Sequence, residues 1–273
     1  MNHTHKPGGN PLSGVKCFVL DMDGTIYLED ELFPYTKDFL DRCLASSRDF
    51  LFFTNNSSKS QQSYLQKLQR LGIQVTAERM LLSTQVLIAF LQRERPGKRV
   101  WVAGTADLLA EFRAAGIEPL SSAPEIAIIG FDTELTYDKL LTLHRAVQSG
   151  AEFFGVNMDL VCPVAGGEIP DCGSLARVIA SSTGVEPVFF GKPSPHALDF
   201  ICRQTGYAAG ELCFVGDRLY TDIAIATGTQ AVSVLVLSGE SKAEDLQRYP
   251  QFVPSLVVQD LAELSDYLHP GPG

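Results

Sequence analysis

The sequence predicts an α/β protein built on a parallel sheet. Short apolar runs of strand length recur along the chain, and the segments between several of them carry apolar residues at helical spacing. A second alternation of the same kind occupies the middle of the chain and implies a separate α/β unit.

The outer runs are residues 17–20, 50–53, 212–215, 231–237 and 256–258. One helix follows Thr54: Ser57 or Ser58 caps it, Tyr64, Leu65, Leu68 and Leu71 share a face, and Gly72 ends it. Its N-terminus is expected to point at the loop TNNSS. The middle runs are 100–102, 126–129 and 153–156, with helical stretches near 106–115 and 140–148. Joins fall near 82–85 and 187–191. The opening stretch MNHTHKPGGNPLSG reads as a loose tail over residues 1–13.

Composition narrows the function classes. The 273 residues are 45% apolar, enough for a substantial core. Twenty-two basic and 32 acidic residues give a formal charge of −10, without a block of like charges, which argues against a nucleic acid polymer as partner. No window approaches eighteen consecutive apolar residues and no signal-peptide core is present, so no membrane association is expected. The six cysteines form no CxxC pair, as suits a reducing compartment, and the cytoplasm is the expected location.

The first apolar run ends in DMDGT. Side chains two apart on a strand project to the same side, so Asp21 and Asp23 should face one site beyond the carboxyl edge of the sheet, where open α/β sheets bind ligands. Two adjacent carboxylates repel each other unless a cation intervenes. Mg²⁺ would keep Asp21 ionised as a nucleophile toward phosphorus, leaving Asp23 to carry a proton to a leaving alkoxide and later take one from water. A solvated turn explains a bare DxD equally well. Three further segments change that balance. FFTNNSS offers the Thr54 hydroxyl and the Asn55 and Asn56 amides ahead of a helix N-terminus that favours an anion. FFGKPSP offers Lys192, able to neutralise a phosphate. CFVGDRLYTD places Asp217 and Asp222 around a turn as hard oxygen ligands suited to Mg²⁺.

DMDGT, TNN, GKPSP and GDRLYTD, in that order, resemble the four motifs of the haloacid dehalogenase-like (HAD) phosphohydrolases. The wording AGGEIPDCGSLARVIASSTGVEPVFFGKPSP is similar to their type IIA, NagD-like branch. The resemblance implies a Rossmann-like parallel core with Asp21 as nucleophile and Asp23 as general acid/base with its carbonyl on Mg²⁺. It also implies Thr54, Asn55 and Lys192 around the phosphoryl group and Asp217 as a metal ligand. Asp222 would support the metal through water or orient Lys192. Thirty-three positions separate Asp21 from Thr54 and 138 separate Thr54 from Lys192, so the middle unit would be an inserted α/β cap. The expected division is a core of residues 14–84 and 188–273 around a cap of 85–187.

In such a protein the cap selects the substrate, and the resemblance points to Asn157 and Asp159 as selectors; their short polar side chains also suit a simple turn. His196 reads as a capping or surface residue, and Trp101, Phe153 and Phe154 as core. The function expected is a Mg²⁺-dependent phosphomonoester hydrolase acting on a small phosphorylated metabolite such as a nucleoside monophosphate, a sugar phosphate or a polyol phosphate. The alternatives are a non-hydrolytic phosphoaspartate switch or a phosphate-ligand binding protein. A switch needs no inserted cap and gains nothing from a base at Asp23. A homo-oligomer is left open.

Overall fold

The computed structural model describes residues 10–164 and 166–268. Its main sheet has six strands in the spatial order Leu256–Val258, Val232–Val236, Leu212–Gly216, Cys17–Leu20, Asp49–Thr54, Met80–Leu82. All four residues of Cys17–Leu20 are buried, as a strand covered on both faces requires. It pairs in parallel with Leu212–Gly216, from Cys17 opposite Leu212 to Leu20 opposite Val215. Thr54 is opposite Leu82 at the end of the parallel pair formed by Asp49–Thr54 and Met80–Leu82.

The chain divides into two compact units: one comprises the residues up to Leu28, Leu32–Phe50 and those from Tyr207 onward, and the other Glu29–Glu31 and Leu51–Gly206. In the first, the helix Thr36–Ala45 packs against the helix Leu261–Ser265, and Phe18 meets Phe39 edge to face at 5.5 Å. Cys17, Cys43 and Cys213 are buried here. Burial pushes the Cys43 and Cys213 thiols well up, so they serve as small apolar side chains.

The second unit carries its own parallel sheet, in the order Val188–Phe189, Glu152–Gly155, Ile126–Ile129, Val100–Ala103. The helices Tyr137–Gln148 and Cys172–Thr183 cover it through Leu143, Val147, Ala176 and Ile179, which join Ile129 and Phe153 in one core. Thr105 and Thr136 cap the helices that follow them, each accepting a backbone N–H. An antiparallel pair, Val161–Val164 with Gly167–Pro170, precedes Cys172–Thr183. Ala165, in the VAGGEIPDCG segment, lies outside the described residues.

The predicted strands appear within a residue or two of their expected places. Three local expectations change. The helix after Thr54 spans Gln61–Arg70 and is capped by Ser60, not Ser57 or Ser58, because the Ser60 side chain accepts the Ser63 N–H. The run before Lys192 contributes Val188–Phe189 to the smaller sheet. Residues 1–9 of the expected tail lie outside the described residues, but residues 10–13 are packed: Leu12 is fully buried, and Asn10 donates from Nδ2 to the Tyr267 carbonyl at 3.0 Å. Among the described residues no helix is long and apolar enough to cross a membrane.

The packed start carries a stability prediction. Leu12→Ala should cost about 2–5 kcal/mol, the range for a buried leucine truncated to alanine. Denaturant unfolding measures it, and an unchanged midpoint would mean that these residues do not contribute to the fold.

Candidate active site

In the first unit, backbone pairing brings the carboxylates together. Asp21 directly follows its strand, and its N–H donates to the Val215 carbonyl at 2.8 Å, which holds it beside the end of Leu212–Gly216. Asp217 is the next residue after that strand. The chain then winds through a single wide turn, Leu219–Ile223, that carries Asp222 back. One carboxylate oxygen from each of Asp21, Asp217 and Asp222 lies within 4.8 Å of the others. Asp23 is exposed on the turn that follows, two residues beyond Asp21.

Glycines make this crowding possible, Gly239 against Asp217 among them. Gly24 has φ +79°, and a Cβ there would run into the Asp217 carboxylate; a Cβ at Gly216 would run into that of Asp222.

Asp217 Oδ2 accepts the Glu240 N–H at 2.7 Å, whereas Oδ1 is buried with no hydrogen-bond partner among the described residues. A buried carboxylate oxygen left in this way is costly. Burial, and then the neighbouring charge of Asp222, push the Asp217 carboxyl up to about 7. A divalent cation would supply the missing partner and reverse that shift. The three carboxylates are hard oxygen donors, and they fit such an ion.

The second unit holds the other predicted residues. Thr54 ends its strand, is 7% exposed, and accepts the Asn56 N–H on Oγ1 at 3.2 Å. Asn56 Oδ1 in turn accepts Ser58 N–H and Oγ, so the TNNSS loop is a run of side-chain turns rather than a helix start. The first N–H groups of the helix beyond are already engaged: Ser60 N–H donates to Asp107 at 3.2 Å and Gln61 N–H to Glu111 at 2.9 Å. These carboxylates occupy the anion position expected for a ligand, which corrects that reading. Lys192, 3% exposed, donates from Nζ to the Phe53 carbonyl at 3.0 Å and lies 5.5 Å from the Phe53 ring centroid.

Asn55 is built in differently from the expectation. Its Oδ1 accepts the Lys192 N–H at 2.8 Å, and Nδ2 donates to the Lys192 carbonyl at 2.9 Å and to Asp159 Oδ2 at 2.7 Å. Both amide hydrogens are therefore taken up by the protein, and the side chain has none to offer a phosphate. Asn157 and Asp159, expected as substrate selectors, are 0% and 2% exposed. Asn157 donates to Asp159 and to Asp171 and accepts from Ser57 Oγ at 3.1 Å. In this structure the pair presents almost no surface and is bonded within the unit. Ser83, which donates from Oγ to the Asn55 carbonyl, and Asp171 are additions that sequence did not indicate. Asp171 is visible only as a helix cap, and nothing local marks Ser83. His196 stacks on Phe190 at 4.8 Å, and burial lowers its pKa, so it belongs to an aromatic cluster with Phe90 and Phe154.

Known proteins agree with this arrangement of motifs. The haloacid dehalogenase-like hydrolase profile matches residues 18–118, and a HAD-hydrolase-like profile matches 189–264. A solved 4-nitrophenylphosphatase from Thermotoga maritima is 34% identical with a TM-score of 0.91, covering 96% of this chain and 100% of its own. NagD from Escherichia coli K-12 is 28% identical with a TM-score of 0.84, over 91% of this chain and 98% of its own. An acid sugar phosphatase of Staphylococcus saprophyticus is 28% identical over 93% of this chain and 98% of its own length. A phosphoaspartate switch and a silent binding protein thereby give way to an enzyme. The chain belongs to the haloacid dehalogenase-like hydrolases and is a phosphatase of their NagD-like, type IIA branch.

Proposed function

We propose that this phosphatase hydrolyses small phosphate monoesters through a phosphoryl group carried on Asp21. The observation that carries the reading is the three-carboxylate cluster of Asp21, Asp217 and Asp222, together with the buried Asp217 Oδ1 that no described group satisfies. Asp21, Asp217 and Asp222 would hold Mg²⁺, together with the Asp23 carbonyl. When bound, the ion offsets carboxylate repulsion and neutralises charge on the transferring phosphoryl group.

A carboxylate oxygen of Asp21 attacks phosphorus, the ester P–O bond breaks, and Asp23 gives its proton to the departing alkoxide. Asp23 then takes a proton from a water whose oxygen attacks phosphorus, the P–O bond to Asp21 breaks, and phosphate leaves. Asp23 is exposed enough to exchange that proton with solvent. Thr54 and Lys192 supply donors to the phosphoryl oxygens, and Asn55 acts through Lys192.

Sugar and polyol phosphates are the proposed substrate class, with nucleoside monophosphates as the other candidates and p-nitrophenyl phosphate as a surrogate; the acid sugar phosphatase relative supports the first. The proposed division is a core of residues 14–84 and 190–273 with a cap of 85–189, the second boundary moved from 187 past Phe189 because that strand belongs to the smaller sheet. A cytoplasmic location fits a chain whose six cysteines form no CxxC pair.

Asp21→Asn should remove turnover of every ester in a phosphate-release assay, and wild-type rates in that variant would eliminate the nucleophile. Asp23→Asn should slow phosphorylation by alkyl phosphates far more than by p-nitrophenyl phosphate, whose leaving group needs little proton assistance. Equal losses in single-turnover experiments would remove the acid role.

The cation is tested by stability. Asp217 has a folded-state pKa above its usual 3.8, so without metal its contribution favours the fold at low pH and is lost as pH rises from about 4 through about 7. A cation binds the ionised form. The rise in Tm on adding MgCl₂ in place of EDTA should therefore be larger at pH 8 than at pH 5. Asp217→Asn, which retains an acceptor for Glu240, should abolish that rise while leaving the EDTA sample at pH 8 at least as stable as the parent. A Tm indifferent to MgCl₂ in the parent protein would reject the ion site.

A further inference from the structure

The structure assigns Asp159 as the positioning residue of Lys192, acting through the Asn55 amide. The assignment rests on the proposed role of Lys192 at the phosphoryl group and extends it to residues well away from the motif in sequence. Asn55 lines its carboxamide against the backbone of Lys192 as one peptide group lines against another, accepting from its N–H and donating to its carbonyl. That pairing exists in only one of the two amide orientations. Rotating the carboxamide by half a turn would set its NH₂ against the Lys192 N–H and its oxygen against the Lys192 carbonyl.

Asp159 reinforces the choice. Its Oδ2 lies 2.7 Å from Asn55 Nδ2 and accepts the second amide hydrogen, and a carboxylate there accepts only. The same oxygen accepts from Asn157 Nδ2 at 2.9 Å. Asn157 is anchored in turn by Ser57 on its oxygen and by Asp171, the cap of the helix Cys172–Thr183, on its other hydrogen. The sequence of bonds therefore runs from a helix end, through Asn157 and Asp159, to the amide that grips Lys192. All members are essentially buried, so water does not compete for these groups. The Asn55 carbonyl is held separately by Ser83 Oγ at 2.9 Å, and Gly191 packs directly on the amide oxygen, where a Cβ would leave too little room. The freedom left to Asn55 is the amide rotation, which the Lys192 backbone and Asp159 oppose together.

The test uses the full-length enzyme with p-nitrophenyl phosphate as substrate and inorganic phosphate as a competitive probe. Asp159→Ala should lower kcat/KM about 100-fold, the scale of a catalytic group displaced by roughly an ångström, and should weaken inhibition by phosphate in parallel. Asp159→Asn, with its amide oxygen toward Asn55, should recover at least a tenfold part of the loss. The decisive comparison is the double variant. If Asp159 acts through Asn55, Asn55→Ala with Asp159→Ala should be no worse than Asn55→Ala alone, within about threefold, whereas independent effects multiply. Multiplying losses, or a wild-type kcat/KM in Asp159→Ala, would overturn the assignment.

Should Asp159→Ala fail to fold, Asp159→Ser, whose side chain is one bond shorter and neutral, takes its place. It should lose activity and weaken inhibition by phosphate, and a wild-type kcat/KM in it would count against the assignment. Asp21→Asn run alongside separates the two ideas: a live Asp21→Asn sinks the proposed chemistry, while a dead Asp21→Asn with a normal Asp159→Ala sinks only this inference.

Discussion

Three carboxylate oxygens held within 4.8 Å of one another are the constraint around which the first unit is organised. At an effective dielectric near 20, each ionised pair at that spacing repels by about 3 kcal/mol. That is a large fraction of the ~5–15 kcal/mol by which a domain is stable. Such a cluster persists only where the surrounding fold leaves it no alternative. Here the parallel register of Cys17–Leu20 on Leu212–Gly216 places Asp21 and Asp217 side by side, and Gly24 and Gly216 leave room for the Asp217 and Asp222 carboxylates. The repulsion is balanced elsewhere in the same unit by the apolar strands and by the packing of Thr36–Ala45 on Leu261–Ser265.

The second unit solves the opposite problem. Its buried polar groups are numerous, and many of them are paired with one another. Each unmade bond among them would cost about 1–3 kcal/mol, which explains why Asn55, Asn157, Asp159 and Ser57 form one connected set. The helix Gln61–Arg70 follows the same logic. Asp107 and Glu111 satisfy its first N–H groups and its dipole together, so its N-terminus is a structural joint within the unit.

Sequence made the strands and the acidic motif readable because both depend on short-range rules. A buried parallel strand is a continuous apolar run, and Asp21 and Asp23 share a side because residues two apart always do. The roles of Asn55 and Asp159 were not readable, because their bond joins positions 104 apart. Nothing in TNN or in NMD distinguishes an amide aimed at a ligand from one aimed at a distant carboxylate. The cap of Gln61–Arg70 was misplaced for a related reason. Ser57, Ser58 and Ser60 are chemically equivalent candidates, and only the bonding of Ser57 to Phe131 and Asn157 removes it from the choice. The buried Leu12 was hidden by its polar, glycine-rich neighbours, which suggest a tail regardless of one well-placed apolar side chain.

The two units therefore respond to substitution with opposite signs. In the acidic cluster a carboxylate is there at the expense of the fold, and replacing it with a neutral side chain relieves repulsion while removing chemistry. In the Asn55 network each group satisfies another, so losing one leaves a buried donor unpaired and disturbs Lys192 at the same time. Stability and activity trade against each other in the first unit and fall together in the second. That difference follows from whether the partner of a buried polar atom is built into the chain. Asp217 Oδ1 has none among the described residues, and Asn55 has a partner for every side-chain amide hydrogen.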